Sequence, residues 1–236
     1  MSDDLTLVQQ LAVLAIPVLI AITFHEAAHG FAARAFGDDT AERAGRLTFN
    51  PLTHIELVGT LLLPLVLFFS TNGTAMFGWA KPVPVRFDRL QPRRLGQILV
   101  SFAGPGINLA LALVSALLLV WIPPISGPTF QWVDATLSMS VRINVILAIV
   151  NLLPIPPLDG GRIIAALLPD RAQRALAGYE RHGLILVALL LLVLPILGPQ
   201  FGINVNFFSW LVEGPSRYVQ GVIESLAGIE RAGPEV

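Results

Sequence analysis

Long apolar runs restrict this chain to few architectures. They cover residues 5–33, 55–70, 96–121, 135–153 and 183–197, and a shorter run follows at 203–212. A helix of about 20 apolar residues crosses the hydrocarbon core of a bilayer. Charged residues make up only 13% of the chain, about half of their share in soluble domains. The sequence therefore predicts an all-α polytopic membrane protein with about four to six transmembrane helices.

The polar intervals between these runs are too short to form a separate soluble domain. We therefore expect a single integral-membrane domain over residues 1–236, with its core at 5–168 and C-terminal membrane segments at 183–212. The net charge of −1 and the lack of a basic run with interleaved aromatic residues give no indication of nucleic acid binding. Because cysteine is absent, a metal would have to be bound mainly by His, Asp or Glu.

Basic residues indicate how the chain is oriented in the membrane. They cluster after the first run, before the third and after the fourth, whereas the interval 122–131 carries none. Cytoplasmic loops carry an excess of Lys and Arg. If the run at 55–70 crossed completely, the clusters at 34–46 and 81–94 would lie on opposite sides. If it enters and returns, all three clusters lie in the cytoplasm. The charges therefore favour a re-entrant, β-like hairpin after the first core helix, with a full crossing as the alternative.

The first run carries a His-Glu-x-x-His motif near its C-terminal end, formed by His25, Glu26 and His29. On a helix the two histidines lie on one face and can bind one Zn²⁺, and the glutamate beside them can act as a general base. The motif is short, and it also fits a helix end that has reached the interface. Because ionisable groups are costly inside a bilayer, an intramembrane cluster of this kind indicates a functional site.

A catalytic zinc ion usually has three protein ligands, so a third must come from elsewhere in the chain. The candidates are Glu42, His54, Glu56, Asp88, Asp159 and His182. Asp88 lies among basic residues with which it can pair, and His54 is expected to interact within its own loop. Asp159 follows the fourth run, which in the favoured topology ends at the same depth as the two histidines. A turn or a helix cap explains Asp159 equally well, and spacing alone leaves the third ligand open.

Four motifs, in this order, carry a resemblance to a known family. They are His-Glu-Ala-Ala-His at 25–29, Gly-Trp-Ala-Lys-Pro-Val-Pro-Val at 78–85, Ala-Gly-Pro-Gly-Ile-Asn at 103–108 and Asn-Leu-Leu-Pro-Ile-Pro-Pro-Leu-Asp-Gly-Gly at 151–161. Over residues 24–162 the chain closely resembles the site-2 protease family of intramembrane zinc metalloproteases. The resemblance implies that one Zn²⁺ is bound by His25, His29 and Asp159, and that Glu26 is the general base.

Two asparagines in these motifs have different expected roles. The resemblance implies that Asn151 lies near the site, where its amide positions the substrate or stabilises a developing oxyanion. An interhelical hydrogen bond is the alternative for Asn151. Asn108 is expected to hold helices together, with Gly104 and Gly106 allowing close approach of their backbones.

The same resemblance implies a function. The chain would hydrolyse peptide bonds within or near transmembrane segments of membrane-protein substrates, as in regulated intramembrane proteolysis. It would be a multi-pass protein of the bacterial cell membrane with its active site toward the cytoplasm, and residues 73–85 would present the substrate as an added strand. The interval 121–134 is too short for the PDZ domain that many members carry, so the chain resembles a compact form.

Two other functions fit the same sequence features. One is a catalytically inactive homologue that acts as a membrane scaffold, which the presence of His25, Glu26, His29 and Asp159 disfavours. The other is a metal transporter, which is disfavoured because transporters are often built from repeats and no internal repeat is visible here.

Overall fold

The computed structural model describes residues 6–62, 66, 80–123, 127–178, 183, 185–187, 189, 193–194 and 207–229. Within these residues the backbone is mostly helical and forms no strand, which confirms the all-α prediction. The helices are α1 (Leu7–Ala35), α2 (Thr40–Arg43), α3 (Arg93–Trp121), α4 (Pro128–Leu152), α5 (Asp159–Leu167), α6 (Asp170–Ala177) and α7 (Gly214–Ala227), with a 3₁₀ turn at Pro51–Thr53 and π-helical turns at Leu57–Leu62 and Ser209–Glu213.

Helices α1, α3 and α4 are long and apolar enough to cross a membrane. They correspond to the first, third and fourth apolar runs, so the polytopic character of the protein is confirmed. The run at 55–70 is described only to residue 62 and at residue 66, and the run at 183–197 only at scattered positions. The predicted hairpin and any further span therefore lie outside the described residues.

Large apolar side chains on the spanning helices face outward, as expected of helices surrounded by lipid. Ile16 and Ile20 on α1, and Phe102 and Val114 on α3, are all exposed. Small residues instead fill the contacts between helices: Ala21, Ala27 and Ala33 of α1 and Ala112 and Ala116 of α3. Small side chains let helix backbones approach closely, which is how transmembrane helices gain packing energy where no hydrophobic force acts between them.

Helix α7 packs against α3 and α4. Its buried residues Ile223 and Ala227 form one apolar cluster with Ala112, Ala116, Val141 and Val145. The apolar runs do not predict this helix, because only one of its faces is apolar. Its end is visible in the sequence as Gly228, which adopts the left-handed φ of 83° at the helix C-terminus and so favours glycine there.

The loop after α1 and the loop before α3 are joined at one end of the bundle. The backbone N–H of Lys81 donates to the carbonyl of His54 over 2.9 Å. The backbone N–H of Arg86 donates to Oδ2 of Asp38 over 2.6 Å. Both loops therefore lie at the C-terminal end of α1.

The basic region after α4 lies at this same end. Arg94, in the first turn of α3, forms an ion pair with Asp170 at 3.0 Å. The side-chain amide of Gln97 donates to the carbonyl of Arg162 over 3.1 Å. The three basic clusters of the sequence thus meet around the start of α3 and the end of α1.

Two glycines set the start of α5 tightly against the end of α4. A Cβ on Gly160 would lie 2.1 Å from the carbonyl oxygen of Leu152, and one on Gly161 would lie 2.4 Å from the nitrogen of Pro156. No side chain fits at either position. The predicted tight turn is therefore confirmed, and it makes Asp159 the first residue of α5.

Candidate metal centre

His25, His29 and Asp159 converge where α1 meets the start of α5. The two histidines lie one turn apart on α1, and their Nε2 atoms are 3.0 Å apart. Oδ2 of Asp159 lies 3.3 Å from each of these nitrogens. Each histidine is 8% exposed and Asp159 is 5% exposed. The structure thus brings together the two motifs that the favoured topology predicts at one depth.

The donor set of this group fits zinc. Oδ2 of Asp159 is buried and has no hydrogen-bond partner among the described residues. A buried polar atom without a partner is costly, and a bound cation would remove that cost. The group offers two imidazole nitrogens and one carboxylate oxygen within 4.8 Å of one another. Two histidines and one carboxylate form a ligand set of catalytic zinc sites, which leave a fourth position open.

Gly104 of α3 leaves space for a metal between the two imidazoles. A Cβ at this position would lie 2.5 Å from Nε2 of His29 and 2.6 Å from Nε2 of His25. Glycine is therefore required where α3 passes the histidines. Sequence reasoning assigns Gly104 to the contact between helices, and the structure adds that the helix contact is at the metal centre itself.

Helix α3 also contacts the opposite nitrogen of each imidazole. Nδ1 of His25 lies 2.6 Å from Oδ1 of Asn108, and Nδ1 of His29 lies 2.7 Å from the carbonyl oxygen of Val100. These contacts turn both Nε2 atoms toward Asp159. Partners of this kind orient metal-binding histidines and fix their tautomers.

Asn108 does hold helices together, as predicted, because its amide nitrogen donates to the carbonyl of Ala21 on α1 and to Asn144 on α4. Its contact with His25 was missed by sequence reasoning. The available signal is its spacing of four residues from Gly104, which places both residues on one face of α3.

Glu26 is held by the segment before α3. Its Oε2 accepts a hydrogen bond from the backbone N–H of Val83 over 2.7 Å. Pro82 and Pro84 flank Val83 and have no N–H of their own. Val83 is therefore the one residue of this Pro-Val-Pro triplet that can donate from its backbone to the carboxylate.

Asn151 lies near the C-terminal end of α4. Its amide nitrogen donates to the carbonyl of Leu147 in the same helix over 2.9 Å. This bond uses one of its two N–H groups. The role of Asn151 at the site stays a prediction.

The other candidate ligands for which the structure describes a position have partners outside this group. Glu42 pairs with Arg34, and Glu56 accepts from the backbone N–H of Gly59. Two expectations are confirmed: Asp88 pairs with Arg86, and Nε2 of His54 bonds within its own loop, to the carbonyl of Thr48. His182 lies outside the described residues.

Comparisons with known proteins agree with this chemistry. The profile of the family described as Peptidase family M50 matches residues 13–132 and 122–195, which contain all three residues of the buried group. The chain is similar to curated proteins with the printed name "Putative zinc metalloprotease". YwhC of Bacillus subtilis (strain 168) is 39% identical over 187 residues, which are 78% of this chain and 81% of the relative.

Two further relatives bear the same name. Rip2 of Mycobacterium tuberculosis (strain ATCC 25618 / H37Rv) is 33% identical over 185 residues, 78% of this chain and 68% of the relative. MJ0611 of Methanocaldococcus jannaschii is 32% identical over 141 residues, 60% of this chain and 63% of the relative. No solved structure matches the chain.

Proposed function

The chain belongs to peptidase family M50, the site-2 protease family, and on that premise we propose that it cleaves membrane proteins within or near their transmembrane segments. It is a zinc metalloprotease and a membrane protein. The observation that carries the proposal is the burial of His25, His29 and Asp159 among helices of bilayer length. A substrate peptide bond must enter the helix bundle to reach them.

In this proposal His25, His29 and Asp159 hold one Zn²⁺ per chain through Nε2, Nε2 and Oδ2. When bound, zinc polarises the scissile carbonyl and makes water more acidic. The protein holds both imidazoles by their Nδ1 atoms, so that the ligand atoms are already oriented before metal and substrate arrive.

Glu26 acts as the general base. The N–H of Val83 binds Oε2, and Oε1 is directed to the attacking water, takes its proton and returns it to the leaving amine. Asn151 has a second amide N–H beyond the one that bonds to Leu147. This N–H donates to the oxygen of the scissile carbonyl as negative charge develops on it.

Substrates are proposed to be transmembrane segments that unwind readily. A helix hides its carbonyl groups in backbone hydrogen bonds, so cleavage favours segments with helix-weakening residues such as Gly. Residues 73–85 present the unwound segment as an added strand. The contact between Val83 and Glu26 supports this role, because it puts the end of that segment beside the general base.

The protein is proposed to lie in the cell membrane with the metal centre toward the cytoplasm. The meeting of the three basic clusters at one end of the bundle supports this orientation. It also supports re-entry of the run at 55–70, because a full crossing would separate the loop after α1 from the loop before α3.

The test compares the full-length wild type with Glu26→Gln and with Glu56→Gln as a matched control. Gln keeps an oxygen that accepts from Val83 but cannot take a proton, whereas Glu56 interacts within its own turn. We expect all three proteins to bind zinc, and we expect the wild type and Glu56→Gln to cleave a transmembrane test substrate while Glu26→Gln does not.

Other outcomes would select the alternatives. A wild type that binds zinc but cleaves no transmembrane substrate would favour the inactive scaffold. Equal zinc uptake into vesicles by the wild type and Glu26→Gln, without cleavage by either, would favour the transporter.

A further inference from the structure

We propose that Asn108 is a positioning residue, which fixes the tautomer of His25 through a chain of hydrogen bonds across three helices. This inference rests on the proposed role of His25 as a zinc ligand. It concerns how the protein prepares that ligand.

The chain of hydrogen bonds runs from α1 through α3 to α4. Oδ1 of Asn108 contacts Nδ1 of His25 at 2.6 Å. The amide nitrogen of Asn108 donates to the carbonyl of Ala21 at 3.2 Å and to Oδ1 of Asn144 at 2.8 Å. The amide nitrogen of Asn144 donates to the carbonyl of Ser140 at 2.9 Å. Asn108 and Asn144 are both fully buried.

Two backbone carbonyls decide the direction of these bonds. The carbonyls of Ala21 and Ser140 can only accept. If Asn108 were turned over, its oxygen would face the oxygen of Ala21. If Asn144 were turned over, its oxygen would face the oxygen of Ser140. Both amides are therefore fixed in one orientation, because a buried polar atom without a donor is costly.

The fixed direction determines which nitrogen of His25 carries its hydrogen. Oδ1 of Asn108 can only accept, so Nδ1 of His25 must be the donor. In the neutral imidazole the lone pair is then on Nε2, the atom that lies 3.3 Å from Asp159. His25 is thus prepared to bind a metal through Nε2.

The two histidines differ in what fixes them. Nδ1 of His29 contacts the backbone carbonyl of Val100, which no substitution removes. Nδ1 of His25 depends on a side chain. A change at Asn108 therefore releases His25 alone, and the tautomer with the hydrogen on Nε2 becomes available to it.

A purely structural role for Asn108 is the competing explanation, since polar side chains also hold transmembrane helices together. The structure provides a matched control for this explanation. The hydroxyls of Ser115 and Ser140 are 2.8 Å apart and join the same two helices, α3 and α4. Neither hydroxyl contacts a histidine among the described residues.

The experiment uses the full chain in detergent, as wild type, Asn108→Leu, Asn108→Asp and Ser115→Ala. The zinc dissociation constant is measured by competition with a chelator, and the thermal unfolding of each protein is measured without metal. Asn108→Asp keeps an oxygen that accepts from His25, but it gives up the amide donors to Ala21 and Asn144. It therefore separates the two explanations.

We expect Asn108→Leu to bind zinc roughly 10- to 100-fold more weakly, the usual effect of losing such a partner. Asn108→Asp should recover most of the zinc affinity while its metal-free form unfolds at a lower temperature than the wild type. Ser115→Ala should bind zinc like the wild type.

Two results would overturn the proposal. In the first, Asn108→Asp binds zinc as weakly as Asn108→Leu. In the second, Ser115→Ala loses as much affinity as Asn108→Leu, so that zinc affinity merely follows helix packing. A wild type that binds no zinc would instead contradict the proposed function, and the two failures are therefore distinguishable.

Discussion

The backbone N–H of Val83 donates to Oε2 of Glu26 over 2.7 Å. A hydrogen bond to a charged group contributes about 1.5–3 kcal/mol, and this one orients the proposed general base. We expect Val83→Pro, which removes the N–H, to lower kcat by at least about tenfold while zinc content is unchanged. The measurement is kcat and KM on a transmembrane test substrate.

Val83→Ala is the control for this substitution, because it keeps the N–H and shortens the buried side chain. It should retain most of the activity. Equal losses in Val83→Pro and Val83→Ala would mean that side-chain packing, rather than the N–H, orients Glu26.

Gly104 and Gly106 give a second matched pair. A Cβ on Gly104 would lie 2.5 Å from Nε2 of His29, whereas one on Gly106 would lie 3.4 Å from the ring of Phe102. We expect Gly104→Ala to weaken zinc binding by about tenfold or more and Gly106→Ala to leave it unchanged. Zinc content after dialysis against a chelator measures the difference. Full zinc occupancy in Gly104→Ala would place the metal elsewhere.

Asp38 gives a prediction about pH. Burial works to raise its pKa, but hydrogen bonds from Thr40 and from the N–H of Arg86, together with the charge of Arg89, lower that pKa below the usual value for aspartate. A lowered pKa stabilises the fold above about pH 4, the usual aspartate pKa, and this contribution is lost as the pH falls through the folded-state value.

The corresponding measurement is the free energy of unfolding of the wild type and Asp38→Asn between pH 3 and pH 7. We expect the variant to be less stable by about 1 kcal/mol at pH 7, with a difference that shrinks as the pH falls. Asp88→Asn is the control, since Asp88 is exposed and pairs with Arg86 at the surface. A constant difference across this pH range would contradict the assignment to the Asp38 carboxylate.

The orientation of the loops is open to labelling, because the chain contains no cysteine. Single cysteines at Ala44 and Arg86 report on the loop after α1 and the loop before α3, and one at Thr129 reports on the start of α4. We expect an impermeant maleimide to label intact cells at Thr129→Cys only, and to label Ala44→Cys and Arg86→Cys after permeabilisation. Labelling of Ala44→Cys and Arg86→Cys from opposite sides would rule out re-entry.

The convergence of His25, His29 and Asp159 follows from information that the sequence contains. Span lengths and the positions of basic residues predict the depth of both motifs, and the resemblance to a family supplies the third ligand. No distance in the fold is needed for either step. The structure supports both, through the buried group itself and through the contact between the basic loops.

The contributions of α3 could not be derived in this way. Gly104 and Asn108 act on the histidines only because α3 crosses α1 at that height, and a helix crossing depends on packing over the whole bundle rather than on a local pattern. The bond from Val83 to Glu26 has the same origin. Helix α7 was missed for a different reason, because one apolar face over 14 residues is a weaker signal than a run of bilayer length.

The turn between α4 and α5 separates the carboxylate from the histidines along the chain, and this separation has a consequence during biosynthesis. Ribosomal synthesis completes α1 well before it reaches Asp159. A nascent chain that has inserted only its first span holds two of the three proposed ligands and lacks the enclosing wall of α3. Hydrolytic competence therefore appears late, after α3 and α4 have entered the bilayer and delivered the aspartate, and the unfinished enzyme is harmless to neighbouring membrane proteins.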